Sequence, residues 1–462
     1  MPDRPPNLLV FFTDQQRHDT TGIHGCPLNL TPNFDRLAKA GTDLHHAFTP
    51  NPVCGPARAC IQTGTYASTN GSYTNGIGLN PELPNLATQL NDAGYHTGYL
   101  GKWHLGSNHD ESGPVAAPDR GGYQSWLAAN VLEMTSDAYQ TRLWNDHNEP
   151  VDLPGYRVDA LADASIRHLH ERVRDHGDQP FMLMTSFLEP HHQNHVDDYP
   201  PPDGYRQRYD GAWVPPDLAA LGGTSHAHLG GYFGMVKRLD EALGRIVEAL
   251  KSLGVLDHTV IAFISDHGCH FKTRNHEYKR SGHEASTRIP MLLHGGPFTG
   301  GGRIEQPVSL VDLAPTLLDT AGVQIPSTMQ GRSVLPLVQR DADALASWPT
   351  DAYTQVAEEC WGRAVRSRRW KYIVRADYDQ WQAPEGGVFD RYAEAELYDL
   401  QHDPYELTNL IESQAHTPVR QAMRKRLRRW WSELGEPDAA IDEPANVRPI
   451  GQRRVTAAEA HA

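Results

Sequence analysis

The sequence predicts an α/β protein: a mostly parallel sheet flanked by helices over residues 1–345, then a small C-terminal α+β domain over residues 346–462. Three observations carry this reading. Short apolar runs recur at residues 8–12, 97–100, 181–187, 260–264 and 291–294, as buried strands require. Longer segments with helical start and stop signals lie between them, and that alternation favours parallel strands joined by crossover helices. After about residue 345 the apolar pieces become short and closely spaced.

Taken in order, the run at 8–12 is the first strand. Thr31-Pro32 then opens a helix that Gly41 closes, and Pro84-Asn85 opens another that Gly94 closes. Proline suits the first helical turn and glycine the residue after the last. The runs at 97–100 and 181–187 are the next strands. Residues 229–253 and 310–320 repeat apolar side chains at three- and four-residue spacing, so both predict helices lying on the sheet, with strands 260–264 and 291–294 between them. In the C-terminal part, 370–374 and 396–400 read as strands and 418–434 as a basic, Trp-containing helix. Residues 109–120 and 199–217 read as long irregular insertions, which can shape a pocket or simply cover the surface.

The chain has 462 residues, 39% of them hydrophobic, enough for a large core and for two or three domains. It carries 42 Lys+Arg against 57 Asp+Glu, a net charge of −15, with no basic run that could track a phosphate backbone. Nucleic acid is therefore excluded as a partner. A polar lead of six residues meets an apolar run too short for a signal peptide or a membrane span, which predicts a soluble, cytoplasmic protein with no membrane partner. Cys26, Cys54, Cys60, Cys269 and Cys360 form no CxxC pair, and a reduced compartment fits them. Most of the 25 histidines lie in polar stretches and decorate a solvated face.

Active sites of open α/β sheets form at the carboxyl ends of strands. Two such ends stand out here: Thr13-Asp14-Gln15 and Ser265-Asp266-His267. Together Asp14, Gln15, Asp266 and His267 would make a compact four-ligand site for a divalent cation. On spacing alone, a helix cap or turn accounts for each aspartate equally well.

Residues 51–64 read NPVCGPARACIQTG, and there the chain resembles the sulfatase family. Cys54, Pro56, Arg58, Thr63 and Gly64 fall in the places of its Cys-x-Pro-x-Arg and Thr-Gly signature; Ala57 replaces the usual serine. The resemblance implies that a maturation enzyme oxidises Cys54 to formylglycine, whose hydrated aldehyde supplies the attacking hydroxyl. Loss of a proton from the second hydroxyl then expels sulfate. Without the resemblance, Cys54 reads as a buried free thiol. The chemistry has a clear physical need, since an anionic ester requires a strong local nucleophile and a positive clamp around the transferring group.

The likeness runs along nearly the whole chain. Gly101-Lys102-Trp103-His104-Leu105-Gly106 resembles the family motif whose lysine holds sulfate and whose histidine accepts the proton in the second half-reaction. Residues 186–191, SFLEPH, resemble the segment whose histidine, here His191, protonates the leaving oxygen. Lys279 stands where the family has a second sulfate-binding lysine, and Arg58 stabilises the hydrated nucleophile. Residues 311–316 and 396–400, with Asp403-Pro404, resemble structural landmarks. Taken singly, each histidine could be satisfied by a carbonyl and each lysine by solvent.

The implied protein is a sulfuric ester hydrolase of alkaline-phosphatase-like fold, a large mixed and mainly parallel sheet with a small C-terminal domain. Its cofactor is one divalent metal, Ca2+ first, with Mn2+ and Mg2+ the other candidates. Gln15 and His267 depart from the commonest sulfatase site, which has a second aspartate and an asparagine there. Both variants resemble cytoplasmic sulfatases and the related phosphonate monoester hydrolases. A phosphonate monoester or phosphodiester hydrolase is thus the runner-up, although those enzymes lack the Lys102 and His104 pair. A non-catalytic binder of anionic sugars, with Cys54 unconverted, is the third reading. The expected partners are the maturation enzyme and a small-molecule or oligosaccharide sulfate ester, a sulfated carbohydrate first and an alkyl or aryl sulfate second. Its pocket would draw on residues 125–146 and 192–209, where His192 and His195 are either substrate contacts or loop residues.

Overall fold

The computed structural model describes residues 4–107, 111–300, 302–376, 384–444 and 458. Its centre is a ten-stranded sheet. In spatial order the strands are Gly302–Ile304, Thr42–Leu44, Leu292–His294, Thr259–Ser265, Asn7–Thr13, Phe181–Ser186, His96–Lys102, Ser125–Ala129, Gln140–Trp144 and Pro150–Pro154. All five predicted strands are among them. Thr259–Ser265, Asn7–Thr13, Phe181–Ser186, His96–Lys102 and Ser125–Ala129 run parallel, and antiparallel strands flank them on both sides. The sheet is therefore mixed and mainly parallel, as the alternating pattern predicts.

The period of two along Asn7–Thr13 divides the core into two layers. Leu8, Val10 and Phe12 join Ala59, Ile61, Leu86, Leu90 and Leu317 on one face. Leu9 and Phe11 join Phe34, Leu37, Leu161, Leu169, Leu243 and Ile246 on the other. Helices Cys54–Thr63, Leu86–Asp92 and Leu313–Thr320 thus cover the first face, and Pro32–Ala40, Arg157–His176 and Ser225–Ser252 the second. No described helix is long and apolar enough to cross a membrane, and all five cysteines are free thiols.

The C-terminal sheet holds Asp351–Val356, Gly362–Ser367, Trp370–Arg375, Arg391–Asp399 and Ala440–Asp442, antiparallel except for the last pair. Helix Thr417–Leu434 closes it through Val419, Met423, Leu427 and Trp431. The same apolar cluster takes in Val53, Cys60 and Tyr66, so this sheet packs directly behind the helix that begins at Cys54.

Several elements differ from the expected ones. Helix Arg157–His176 is rich in Asp, Arg and His, which masks its stripe of Val158, Leu161, Ala162, Ser165 and Leu169. The hairpin Gln140–Trp144 and Pro150–Pro154 has mostly exposed alternate residues and so lacks an apolar run. The insertion at 199–217 is not wholly irregular, because Tyr205–Tyr209 forms a short helix that packs on Ser225–Ser252, and Pro216 starts another. The segment expected at 310–320 is a 3-10 turn, Leu310–Asp312, running into helix Leu313–Thr320. In the insertion at 109–120, His109 and Asp110 lie outside the described residues, and Ala117–Asp119 forms a 3-10 turn.

Candidate active site

Thr13 and Ser265 are register partners on neighbouring parallel strands, so Asp14 and Asp266 leave the sheet side by side. Gln15 takes a left-handed backbone, φ 68°. Its N–H donates to Asp266 Oδ1 at 3.0 Å and its carbonyl accepts from the Tyr232 hydroxyl at 2.8 Å. His267 Nδ1 donates to the Gly268 carbonyl at 3.0 Å, which leaves Nε2 with its lone pair turned inward.

Cys54 is the first residue of a ten-residue helix that is buried throughout. Arg58, four residues on, shares its face. The Arg58 guanidinium donates to the Lys102 carbonyl and to Ser186 Oγ, both at 2.8 Å, and to Asp14 Oδ2 at 3.0 Å; Asp266 Oδ2 lies 3.4 Å away. Lys102 ends its strand with Nζ wholly buried between Asp14 Oδ2 at 2.8 Å and Glu133 Oε1 at 2.9 Å. His104, at φ 61°, turns back to hydrogen-bond the Cys54 thiol.

The thiol is the hub of the site. Lys279 Nζ stands 2.7 Å from Cys54 Sγ, His267 Nε2 3.3 Å and Asp14 Oδ1 3.7 Å. His191 Nδ1 donates to the His192 carbonyl at 2.6 Å, so Nε2 faces Lys279 Nζ at 3.1 Å. Cys54, Arg58, Lys102, His104, His191, Lys279, Asp14, Asp266 and His267 therefore form one connected cluster. Gln15 joins it through its backbone, while its side-chain Nε2 donates to Tyr199 Oη and Cys269 Sγ, both at 3.2 Å. If Cys54 is formylglycine, Sγ marks where the oxygens of that side chain would lie.

Electrostatics follows from burying so many charges together. Burial drives the Cys54 thiol towards its neutral form, but Lys102, Lys279, His267 and the His104 hydrogen bond outweigh it and hold its pKa well below the usual value. Asp14 is likewise pushed up by burial and by Cys54, yet Lys102, His191 and Arg58 keep it ionised below the ordinary range. Asp266 moves the other way, raised by burial and by the neighbouring Asp14.

A divalent cation fits this set of donors. Gln15 Oε1 is a buried oxygen without a hydrogen-bond partner, and Asp266 Oδ2 is buried with only the 3.4 Å ion pair to Arg58. Ligand atoms of Asp14, Cys54, Asp266 and His267 all lie within 4.8 Å of one another. Two carboxylates, a carboxamide oxygen and an imidazole form a mainly hard donor set.

Sequence reasoning missed Glu133. It lies in the expected pocket segment but in no motif, and only a buried Lys102 in need of a second carboxylate could have pointed to it. Burial raises its carboxyl, but Lys102, His191 and His104 bring it down to about 2. Glu133 also lines a cavity of about 720 Å³ with Tyr139, Arg142, Asp152 and His195. His195 reaches Asp137 there at 2.6 Å. His192 instead stacks on Tyr278 with ring centres 4.1 Å apart, inside an aromatic group.

Comparison with known proteins bears on this geometry. A family model described as Sulfatase matches residues 6–323, and one described as N-sulphoglucosamine sulphohydrolase, C-terminal, matches residues 275–433. An uncharacterized sulfatase of Escherichia coli (strain K12) is 28% identical, the alignment covering 94% of this chain and 88% of the relative. An N-acetylglucosamine-6-O-sulfatase of Bacteroides thetaiotaomicron is 25% identical over 97% of this chain and 90% of the relative. A crystal structure of a candidate sulfatase from Bacteroides fragilis superposes with a TM-score of 0.80 and 25% identity, covering 95% of this chain and 97% of that one.

Proposed function

From the premise that this chain belongs to the sulfatase family and is a sulfuric ester hydrolase of alkaline-phosphatase-like fold, we propose how it acts and on what. Its substrate is a sulfate ester of a carbohydrate, and its reaction is carried by the side chains gathered around Cys54. The observation that carries the reading is the convergence of Lys279, His104, His267 and Asp14 on one thiol. A binding protein would have no use for proton-transfer groups at that point.

In the family, formylglycine at the Cys54 position supplies the nucleophile and a divalent cation lowers the cost of gathering negative charge there. Asp14, Gln15, Asp266 and His267 would hold the cation, and calcium suits their mainly oxygen donor set. Lys102 and Lys279 neutralise the non-bridging oxygens of the sulfate group in a site from which water is largely excluded. Glu133 positions Lys102 from the side opposite Asp14. His191 delivers a proton from Nε2 to the leaving oxygen, because its Nδ1 is already committed to a backbone carbonyl. His104 accepts a proton at the residue-54 side chain in the second half-reaction, and Arg58 holds that side chain against Asp14.

The carbohydrate assignment rests on three supports. One relative acts on N-acetylglucosamine 6-sulfate by its name, the second family model is named for a sulfated glucosamine, and the cavity beside Glu133 has the size of a sugar-binding pocket. Residues 1–345 are the catalytic part, and 346–462 a smaller part that buttresses the Cys54 helix. A paired assay of the metal-loaded enzyme on sulfated monosaccharides, an aryl sulfate and a phosphonate monoester tests the function. Faster sulfate release, with a sugar sulfate ahead of the aryl ester, is expected. Faster phosphonate cleavage would transfer the chain to the phosphonate hydrolase reading.

A further inference from the structure

Apart from the thiol cluster, the described residues enclose a second charged cavity, of about 480 Å³, lined by none of the residues assigned to catalysis. It lies where the two sheets meet. His45 and His46 form the turn after strand Thr42–Leu44 of the large sheet, Arg366 lies on strand Gly362–Ser367 of the C-terminal one, and Arg368 and Arg369 follow it. With Arg288, its lining carries four guanidiniums against two carboxylates, Glu284 and Glu305, in a chain whose net charge is −15.

The cations here are poorly matched. Glu284 is taken by Lys371 at 2.7 Å, so Arg366 makes only two long 3.4 Å contacts to it and Arg288 one of 4.0 Å. Arg366 is only 6% exposed, yet its Nη1 is a buried donor with no acceptor. His46 Nδ1 and Arg288 Nε are also buried without partners. Arg369 is neutralised by Asp399 at 2.7 Å, whereas Arg368 is exposed and forms no ion pair among the described residues. Burial, reinforced by Arg366, brings Arg288 down to about 10 in spite of Glu284. Unpaired buried donors are costly, and a ligand rich in acceptors would relieve that cost.

We propose that this cavity binds a tetrahedral oxoanion, sulfate first, through Arg288, Arg366, Arg368 and the imidazoles of His45 and His46. Guanidinium forks suit such an anion, and the volume is in the range of a ligand larger than the bare ion. His45 follows strand Thr42–Leu44, which points the same way as Thr259–Ser265 and lies two strands from it. At a strand spacing of about 4.8 Å, the backbone at His46 leaves the sheet roughly 10 Å from Asp266, at the same end of the strands. A second sulfate group on an oligosaccharide and free inorganic sulfate are the two sources of this one chemistry.

The test is calorimetric titration of the full-length, metal-loaded enzyme with inorganic sulfate, for the wild type, Arg366→Gln and Arg368→Gln. Two binding events are expected in the wild type. One should weaken by roughly tenfold or more in each variant, the loss typical of a charged hydrogen bond, while sulfate inhibition of aryl sulfate hydrolysis stays unchanged. A second arm compares a sulfated tetrasaccharide with the sulfated monosaccharide. A rise in KM for the tetrasaccharide alone assigns the site to the carbohydrate chain, and lost sulfate binding with no change in KM assigns it to the free ion. A single binding event in the wild type, or titrations unchanged in the variants, overturns the proposal. Should Arg366→Gln fail to fold, the exposed Arg368→Gln decides. The sulfate titration requires no turnover, so its result stands apart from the catalytic assignment.

Discussion

Replacing His191 by alanine separates proton donation from every other role in the site. His191 Nδ1 donates to the His192 carbonyl, and Nε2 lies 3.1 Å from Lys279 Nζ, which itself stands 2.7 Å from Cys54 Sγ. The imidazole thus reaches the region of the leaving oxygen but does not touch Sγ within hydrogen-bond range. A general acid contributes about 10²- to 10⁴-fold, or roughly 3–5.5 kcal/mol of barrier. That contribution matters only where the leaving group needs the proton. For a sugar or alkyl sulfate, His191→Ala should therefore lower kcat by 10²–10⁴, and for p-nitrophenyl sulfate by less than about tenfold. The folding cost should be near 1 kcal/mol, one ordinary hydrogen bond, so the variant remains folded. Steady-state kinetics on both substrates reads the difference. Equal slowing of the two would refute the acid role and leave His191 as a positioning residue for Lys279.

Three further outcomes follow from the buried charges. Lys102→Ala leaves Asp14 and Glu133 without their shared cation and should destabilise the fold by about 3–5 kcal/mol, read from urea unfolding of the metal-free protein. Glu133 has a folded pKa of about 2 against 4.5. The group whose pKa is depressed adds stability above its unfolded value and loses it as the pH falls. The wild type should therefore lose up to about 3 kcal/mol more than Glu133→Gln as pH drops from 5 towards 2, seen as divergence of their urea midpoints. Removing divalent cations with a chelator should abolish turnover and lower Tm, because the cation's bonds to Asp14 and Asp266 are then lost and only Lys102 and Arg58 remain to offset the two carboxylates. Added Ca2+ should restore both, and a Tm indifferent to chelation would exclude a cation held by these residues.

The central sheet was legible because its strands are buried on both faces and therefore read as uninterrupted apolar runs, Leu8 to Phe12 being the clearest. The hairpin Gln140–Trp144 and Pro150–Pro154 was not, since about half its residues face solvent and the apolar run disappears. Helix Arg157–His176 was hidden by charge on its outer face, although its buried stripe keeps the helical period. Within the site, Cys54, Arg58, Lys102 and Asp266 could be found because each lies in a short motif at a strand or helix end. Glu133 could not, for its role depends on a Lys102 partner 31 residues away in sequence, a relation that spacing does not encode. The basic cavity was equally invisible, assembled as it is from His45 and His46, Arg288 and the Arg366 strand.

Turnover depends first on the chemical state of residue 54. Tryptic peptide mass spectrometry of protein co-expressed with a formylglycine-generating enzyme, with sulfate release measured on the same sample, addresses it directly. The Cys54 peptide should lose its thiol mass in favour of the aldehyde or its hydrate, and turnover should rise in proportion to the converted fraction. Full sulfate release from a sample whose Cys54 remains an intact thiol would contradict this dependence.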